Sequence, residues 1–121
     1  MKIILFGLGN IFTQYANQID FADVVAIADN DFYKTRTYLY GKYVISPDLL
    51  ADYEFDYIVI FNQRYAESIF SQLWQMGIDE SKIISWQYYL YFLKRNVNCF
   101  STDCLQTIYD VFGELQIGRA H

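Results

Sequence analysis

Five short apolar runs recur along the first 85 residues, at 2–6, 24–28, 43–45, 57–61 and 82–85. The runs at 2–6, 24–28 and 57–61 show almost no polar alternation, which predicts strands buried on both faces, as in a parallel sheet. Between the runs the period lengthens. Ile11, Phe12, Tyr15 and Ile19 fall on one stripe of a helix over 10–19. Ile69, Leu73 and Met76, with Phe70 beside them, form the seam of a helix over 63–76, with Asn62 as its cap and Gly77 as its terminator. Ser46-Pro47-Asp48 predicts a brief helix from Asp48 to Asp52, Ser46 capping and Pro47 at the first helical position. The stretch from Asn30 to Tyr43 follows neither period and reads as irregular. Strands alternating with helices predict an α/β fold, a Rossmann-like open parallel sheet of about five strands with helices on both faces. That core spans 1–85. Aromatic helices over 86–98 and 102–112 then form a helical extension, 86–121, packed on the core.

Residues 1–30 add chemistry to this pattern. The first strand runs into Gly7-Leu8-Gly9-Asn10, the first helix follows, and the second strand ends on Asp29, 20 residues after Gly9. A dinucleotide site needs this order. The first glycine permits a tight turn and the second lets backbone approach a pyrophosphate, while helix N–H groups face the anion and the acid accepts from a ribose diol. Gly7, Gly9, Asn10 and Asp29 are therefore candidate cofactor-binding residues. Asn62 joins them at the C-terminal end of a later strand, where ligands of open α/β sheets bind. Each residue also has a plainer role open to it. The glycines can serve a bare strand-to-helix turn, Asn10 and Asn62 can cap helices, and Asp29 can cap the N–H groups of Asn30 and Asp31. Lys34 and Arg36 can pair with a 2′-phosphate or lie in a solvated loop. Phe12 occupies the third glycine position of a full GxGxxG, which alters helix-to-strand packing and weakens the case for a dinucleotide more than the case for the fold.

Composition narrows the function classes. At 54% hydrophobic and 19% charged, the 121 residues can build one core rather than a disordered chain. A net charge of −5 with no basic cluster argues against nucleic acid or an anionic membrane as partner. No apolar run approaches a bilayer span, and the N-terminus lacks a cleavable signal pattern, so a cytoplasmic protein without membrane insertion is expected. Cys99 and Cys104 stand five apart, Asp103 and Asp110 seven apart, and the one histidine is His121; no metal site is expected. No nucleophile–base–orienter set is present, so no catalytic residue is assigned. Aromatic residues make up 20% of the chain, a surplus that points to an exposed patch and a homodimer or partner interface. The abrupt end at 114–121 suggests a domain cut from a longer protein.

The glycine turn, Ala28-Asp29-Asn30-Asp31, the segment Gly41-Lys42-Tyr43-Val44-Ile45-Ser46-Pro47, the strand opened by Asp56, and Met76-Gly77-Ile78 before Lys82-Ile83-Ile84 together resemble a bacterial module. It is the small Rossmann-like domain attached to sugar-modifying and polysaccharide-biosynthesis proteins, among them sugar O-acyltransferases, nucleotide-sugar dehydratases and FkbM-type methyltransferases. The resemblance covers about residues 1–85. It implies a domain that binds NAD(P) or a nucleotide sugar and is not catalytic by itself, linked to a catalytic domain. The alternatives are a degenerate scaffold that mediates dimerisation through aromatic residues of 86–112, and a fragment of a dehydrogenase or of a methyltransferase, since S-adenosylmethionine sites share the glycine turn and the acid.

Overall fold

Ile3–Phe6 forms β1, and all four residues are buried. In this computed structural model, which describes residues 1–95, β1 lies at the centre of a six-stranded sheet. Val24–Ala28 (β2) and Tyr57–Ile60 (β5) flank it, both parallel to it. Lys42–Ile45 (β4) pairs parallel to β2 and Ile83–Ser85 (β6) parallel to β5. Tyr38–Leu39 (β3) pairs antiparallel to β4 and completes the order β3-β4-β2-β1-β5-β6. Alternate residues of β1 serve two cores. Ile3 and Leu5 face a layer made by Asn10–Tyr15 (α1) and Trp86–Lys94 (α3), and Ile4 and Phe6 face one made by Ala66–Gln75 (α2) and the 3₁₀ turn Pro47–Asp52. The sheet is thus covered on both faces, the arrangement that its unalternating apolar strands require.

Where the elements differ from the sequence reading, local hydrogen bonds account for it. The sheet is mostly parallel, but it has six strands where about five were expected, and the added one, antiparallel, lies in the stretch read as irregular. That sixth strand exists because Tyr40 (φ 53°) and Gly41 (φ 76°) both take positive φ, the geometry of a two-residue hairpin turn that suits the twist of the strands. Tyrosine resists that conformation, but the Tyr40 ring stacks on Phe21 at 4.5 Å and 14°, which holds it there. The first helix stops at Tyr15 and tightens into a 3₁₀ turn, Ala16–Gln18, not the full span to 19. The chain then reaches Asp20, whose N–H donates to the Tyr89 hydroxyl of α3 at 3.3 Å. The helix expected from 63 begins at Ala66, because Asn62 Oδ1 accepts from the Tyr65 N–H at 2.6 Å and holds 62–65 in a turn. Its end matches the reading. Gly77 (φ 91°) lets Ile78 N–H reach Leu73 O and Gly77 N–H reach Trp74 O, a Schellman closure. Pro47 does occupy the first position of its turn, but Ser46 makes no cap; its hydroxyl donates to the Asp48 carboxylate instead.

The helix over 86–98 begins where expected, with Ser85 Oγ accepting from the Tyr88 N–H at 3.3 Å. Of the described aromatic residues within the interface expected over 86–112, Tyr88, Tyr89 and Phe92 are core and Trp86 and Tyr91 are half-buried. The rest of 86–98, the helix over 102–112, Cys99, Cys104, Asp103, Asp110 and His121 lie outside the described residues. Among the described residues no helix is long and apolar enough to cross a membrane.

Candidate functional site

The strand order reverses beside β1. The chain moves from β1 outward through β2 to β4, then crosses back to β5 on the other side. Loops leaving β1 and β5 therefore diverge at their C-terminal ends and leave a crevice, the place where ligands enter open α/β sheets. The crevice is present as a cleft of about 350 Å³, within the size range of small-molecule sites. Gly7 and Gly9 from the turn after β1 line it, with Asp29, Asp31 and Lys34 from the loop after β2, and Asn62, Tyr65, Ser68 and Gln72 from the β5–α2 segment.

The two glycines have different reasons to be glycine. Gly7 adopts φ 118°, and a Cβ there would meet the Phe61 carbonyl oxygen at 2.8 Å. Its absent side chain lets the exits of β1 and β5 touch, with Phe61 N–H on Phe6 O at 2.8 Å, while Gly7 N–H donates to Ala28 O at the end of β2, also at 2.8 Å. Gly9 has φ −93°, and a Cβ there would meet nothing within 4 Å. Gly7 is needed by the fold, whereas Gly9 leaves open space beside the cleft. Gly9 is also the N-cap of α1 and brings no side-chain cap. The N–H groups of that first turn have no carbonyl one turn earlier to bond. Asn10 is the first helical residue, neither the cap nor part of the cleft wall.

Asp29 is 8% exposed and both its carboxylate oxygens are engaged. Oδ2 accepts from the Leu8 N–H and Oδ1 from the Asp31 N–H, each at 2.7 Å. The capping role foreseen for it extends beyond its own turn to the glycine turn 21 residues earlier, so the side chain ties the two loops that frame the cleft. Charge-assisted bonds of this length are strong and fix the rotamer. A carboxylate offers about four lone-pair sites, so two remain for a ligand.

Of the two basic residues in the following loop, only Lys34 reaches the cleft. Its Nζ donates to the Leu8 carbonyl at 3.3 Å, with two donors to spare. Arg36 turns away, its guanidinium 5.1 Å from the centre of the Phe32 ring. On the far wall, Asn30 and Gln72 exchange two amide hydrogen bonds of 2.9 Å each, linking the loop after β2 to α2 across the end of β1. This pair, with Tyr65 and Ser68, escaped the sequence reading. Its signal is the polar stripe Tyr65, Ser68, Gln72, at spacings of three and four from the N-cap of α2 onward.

Phe12, in the third glycine position, is 4% exposed. Its ring meets Phe61, Phe21 and Tyr40 edge-on at 6.1–6.4 Å between centroids. The bulk that glycine would have spared is accommodated by an aromatic cluster between α1 and the sheet, and Phe12 is absent from the wall of the cleft.

A family model for the N-terminal domain of C2185-like proteins matches residues 1–84. The chain belongs to that family. No curated protein matches it. Among solved structures, the UDP-D-quinovosamine 4-dehydrogenase from Vibrio fischeri is similar to this C2185-like chain, with 18% identity and a TM-score of 0.51 over 98% of this chain and 88% of that one. At that identity the likeness shows the fold alone. Among the described residues of the C2185-like domain, no group of three or more His, Cys, Asp or Glu side chains gathers into a metal site.

Proposed function

We propose that this C2185-like domain is a Rossmann-like module that binds a nucleotide, NAD(P) or a nucleotide sugar, and that it serves a larger sugar-modifying or polysaccharide-biosynthesis protein without being catalytic itself. The reading is carried by one observation: the cleft at the reversal of strand order has both the glycine turn and Asp29 in its wall. Gly9 and the first-turn N–H groups offer a backbone seat for phosphate, and Lys34 adds a cation. Asp29, held by two N–H bonds, offers its remaining lone pairs to a ribose diol. Asn62 and the Asn30–Gln72 amides line or frame the far side and supply hydrogen-bonding edges. The dehydrogenase with the similar fold acts, by its name, on a UDP-sugar, which is in keeping with this choice of ligands. S-adenosylmethionine is the less favoured occupant, since it has no phosphate for Lys34 to neutralise.

Calorimetric titration with NAD(H), NADP(H) and UDP-sugars tests the reading. Saturable binding of one of them, weakened by Gly9→Val, is expected. Absence of binding by all of them at roughly millimolar ligand, an affinity of only about 4 kcal/mol, refutes it.

A second reading, a scaffold that meets a second copy or a partner, is favoured by a different surface from the one expected. Phe32, Tyr33, Tyr38 and Tyr40 are 56–93% exposed around the β3–β4 hairpin at the sheet edge. Sedimentation equilibrium discriminates the two. A dimer dispersed by Tyr38→Lys supports the scaffold, and a monomer with nucleotide affinity supports the first reading.

A further inference from the structure

A second cavity of about 490 Å³, an open surface hollow, lies on the α1 side of the glycine turn. Its walls include Phe12, Thr13, Tyr33, Thr37 and Tyr40, and it shares Leu8 and Lys34 with the cleft. The two spaces thus meet at Leu8 and Lys34, which are joined by the 3.3 Å bond from Lys34 Nζ to Leu8 O. Lys34 is the one charged residue among those lining the second cavity. A ligand with a ring in each space must pass its linker over this ammonium group, and that linker is best an anion.

The second cavity also has a preference in what it can hold. The Thr13 hydroxyl donates to Gly9 O at 3.1 Å and the Thr37 hydroxyl to Lys34 O at 3.3 Å. With their protons committed, both hydroxyl oxygens present lone pairs and call for a donor-rich ligand. Tyr33 and Tyr40 add aromatic surface, 93% and 56% exposed. A sugar ring satisfies both demands, with hydroxyl donors at its edge and C–H groups on its faces. The cationic ring of oxidised nicotinamide would lie next to Lys34 with no carboxylate in the lining to balance it.

We propose that the ligand is a nucleoside diphosphate sugar that straddles Lys34, with the nucleoside in the Asp29 cleft, the diphosphate at the lysine and the sugar in the Thr13–Thr37 cavity. The proposal rests on the nucleotide-binding reading and selects one of its ligand classes. The test is a calorimetric comparison of UDP with UDP-glucose and UDP-N-acetylglucosamine, and of ADP with NAD⁺. The better of the two UDP-sugars should bind about tenfold tighter than UDP, the gain two or three added hydrogen bonds supply, and NAD⁺ no tighter than ADP. Thr37→Val and Thr13→Val, both at exposed positions, should abolish the gain and leave UDP affinity within about twofold. Lys34→Met should weaken every diphosphate alike. Equal affinity for UDP and both UDP-sugars overturns the straddled mode while nucleotide binding stands, and so does a sugar gain that survives both threonine changes. Failure of all five probes to bind overturns the nucleotide reading together with it.

Discussion

Gly7→Ala and Gly9→Ala are the same chemical change two residues apart, and the structure gives them opposite consequences. At Gly7 the alanine must hold φ 118°, a conformation L side chains rarely adopt, which costs about 1–3 kcal/mol. Its Cβ would also stand 2.8 Å from the Phe61 carbonyl oxygen, closer than real Cβ contacts allow. That oxygen belongs to main chain following β5 and is not the end of a flexible side chain, so relief requires β1 and β5 to part at the 2.8 Å bond from Phe61 N to Phe6 O. The gain from a stiffer unfolded chain, about 0.4–1 kcal/mol, offsets only a fraction. A net loss of about 3 kcal/mol is expected, a large share of the 5–15 kcal/mol that holds a small domain together. At Gly9 the backbone is extended with φ −93° and no atom lies within 4 Å of the added carbon, so the change should stay within about 0.5 kcal/mol. Urea unfolding followed by far-ultraviolet dichroism measures both. With a slope of about 1–3 kcal/mol/M, Gly7→Ala should lower the midpoint by about 1–3 M and Gly9→Ala by almost nothing. Equal midpoints for the two variants would refute the assignment of the first glycine to the fold and the second to the site.

Three more outcomes follow from the same geometry. Asp29→Ala strips the acceptor from the Leu8 and Asp31 N–H groups and should cost about 2–3 kcal/mol, seen as a fall in melting temperature of roughly 10 °C or more; an unchanged melting temperature would show that water replaces the carboxylate. Phe12→Gly restores the GxGxxG spelling but removes a buried ring that meets three others, so it should lose about 4 kcal/mol and gain no nucleotide affinity; tighter NAD binding by a folded variant would contradict this. Burial pushes the Tyr89 phenol from 10.0 up to about 12. The folded state therefore keeps a proton that the unfolded state releases, and the phenol's contribution is complete below pH 10 and lost as pH rises towards 12, by about 2 kcal/mol at most. The stability difference between the parent and Tyr89→Phe, measured by urea unfolding from pH 8 to 12, should shrink over that window, and a flat difference would exclude the mechanism.

The parallel sheet was legible because burial on both faces leaves a mark in one dimension. Ile3, Ile4, Leu5 and Phe6 must all be apolar if alternate residues serve two cores, and no reading frame is needed to see it. The β3–β4 hairpin was not legible for the converse reason. Tyr38, Tyr40 and Lys42 are polar or amphipathic residues on a partly exposed edge, and the turn depends on Tyr40 accepting a positive φ that a ring from another part of the chain, Phe21, makes tolerable. Sequence-local signals likewise placed a cap at Asn62, correctly as an acceptor of a backbone N–H but three residues ahead of the actual N-cap, Tyr65. Ser46 had the residue type of a cap, but it spends its hydroxyl on Asp48. The candidate site shows the same division. Gly7, Gly9, Asp29 and Asn62 converge because they sit at strand ends, whose positions the sheet fixes. Gln72 meets Asn30 through the packing of α2 over the sheet, a contact 42 residues apart that no local pattern encodes.

Asp29 shows why the glycine turn and its distant acid are ambiguous as a functional signature. The carboxylate ties the loop after β1 to the loop after β2, and a protein that bound no nucleotide would still need that tie. An acid at this position is therefore expected of the scaffold as well as of the site, and its presence discriminates poorly between them. Gly7 is ambiguous in the same way, since the approach of β1 to Phe61 demands it with or without a ligand. Gly9 and Lys34 carry more information because the fold asks less of them. Nothing in the described packing requires a missing side chain at Gly9. A lysine that bonds a single carbonyl at 3.3 Å from an exposed position adds little stability. The same surface position would serve a fold-only role equally well with many other residues, so a cation there is in keeping with the anionic ligand of the proposed function. Under the proposed function, substitutions at Gly9 and Lys34 are therefore expected to weaken binding without touching stability.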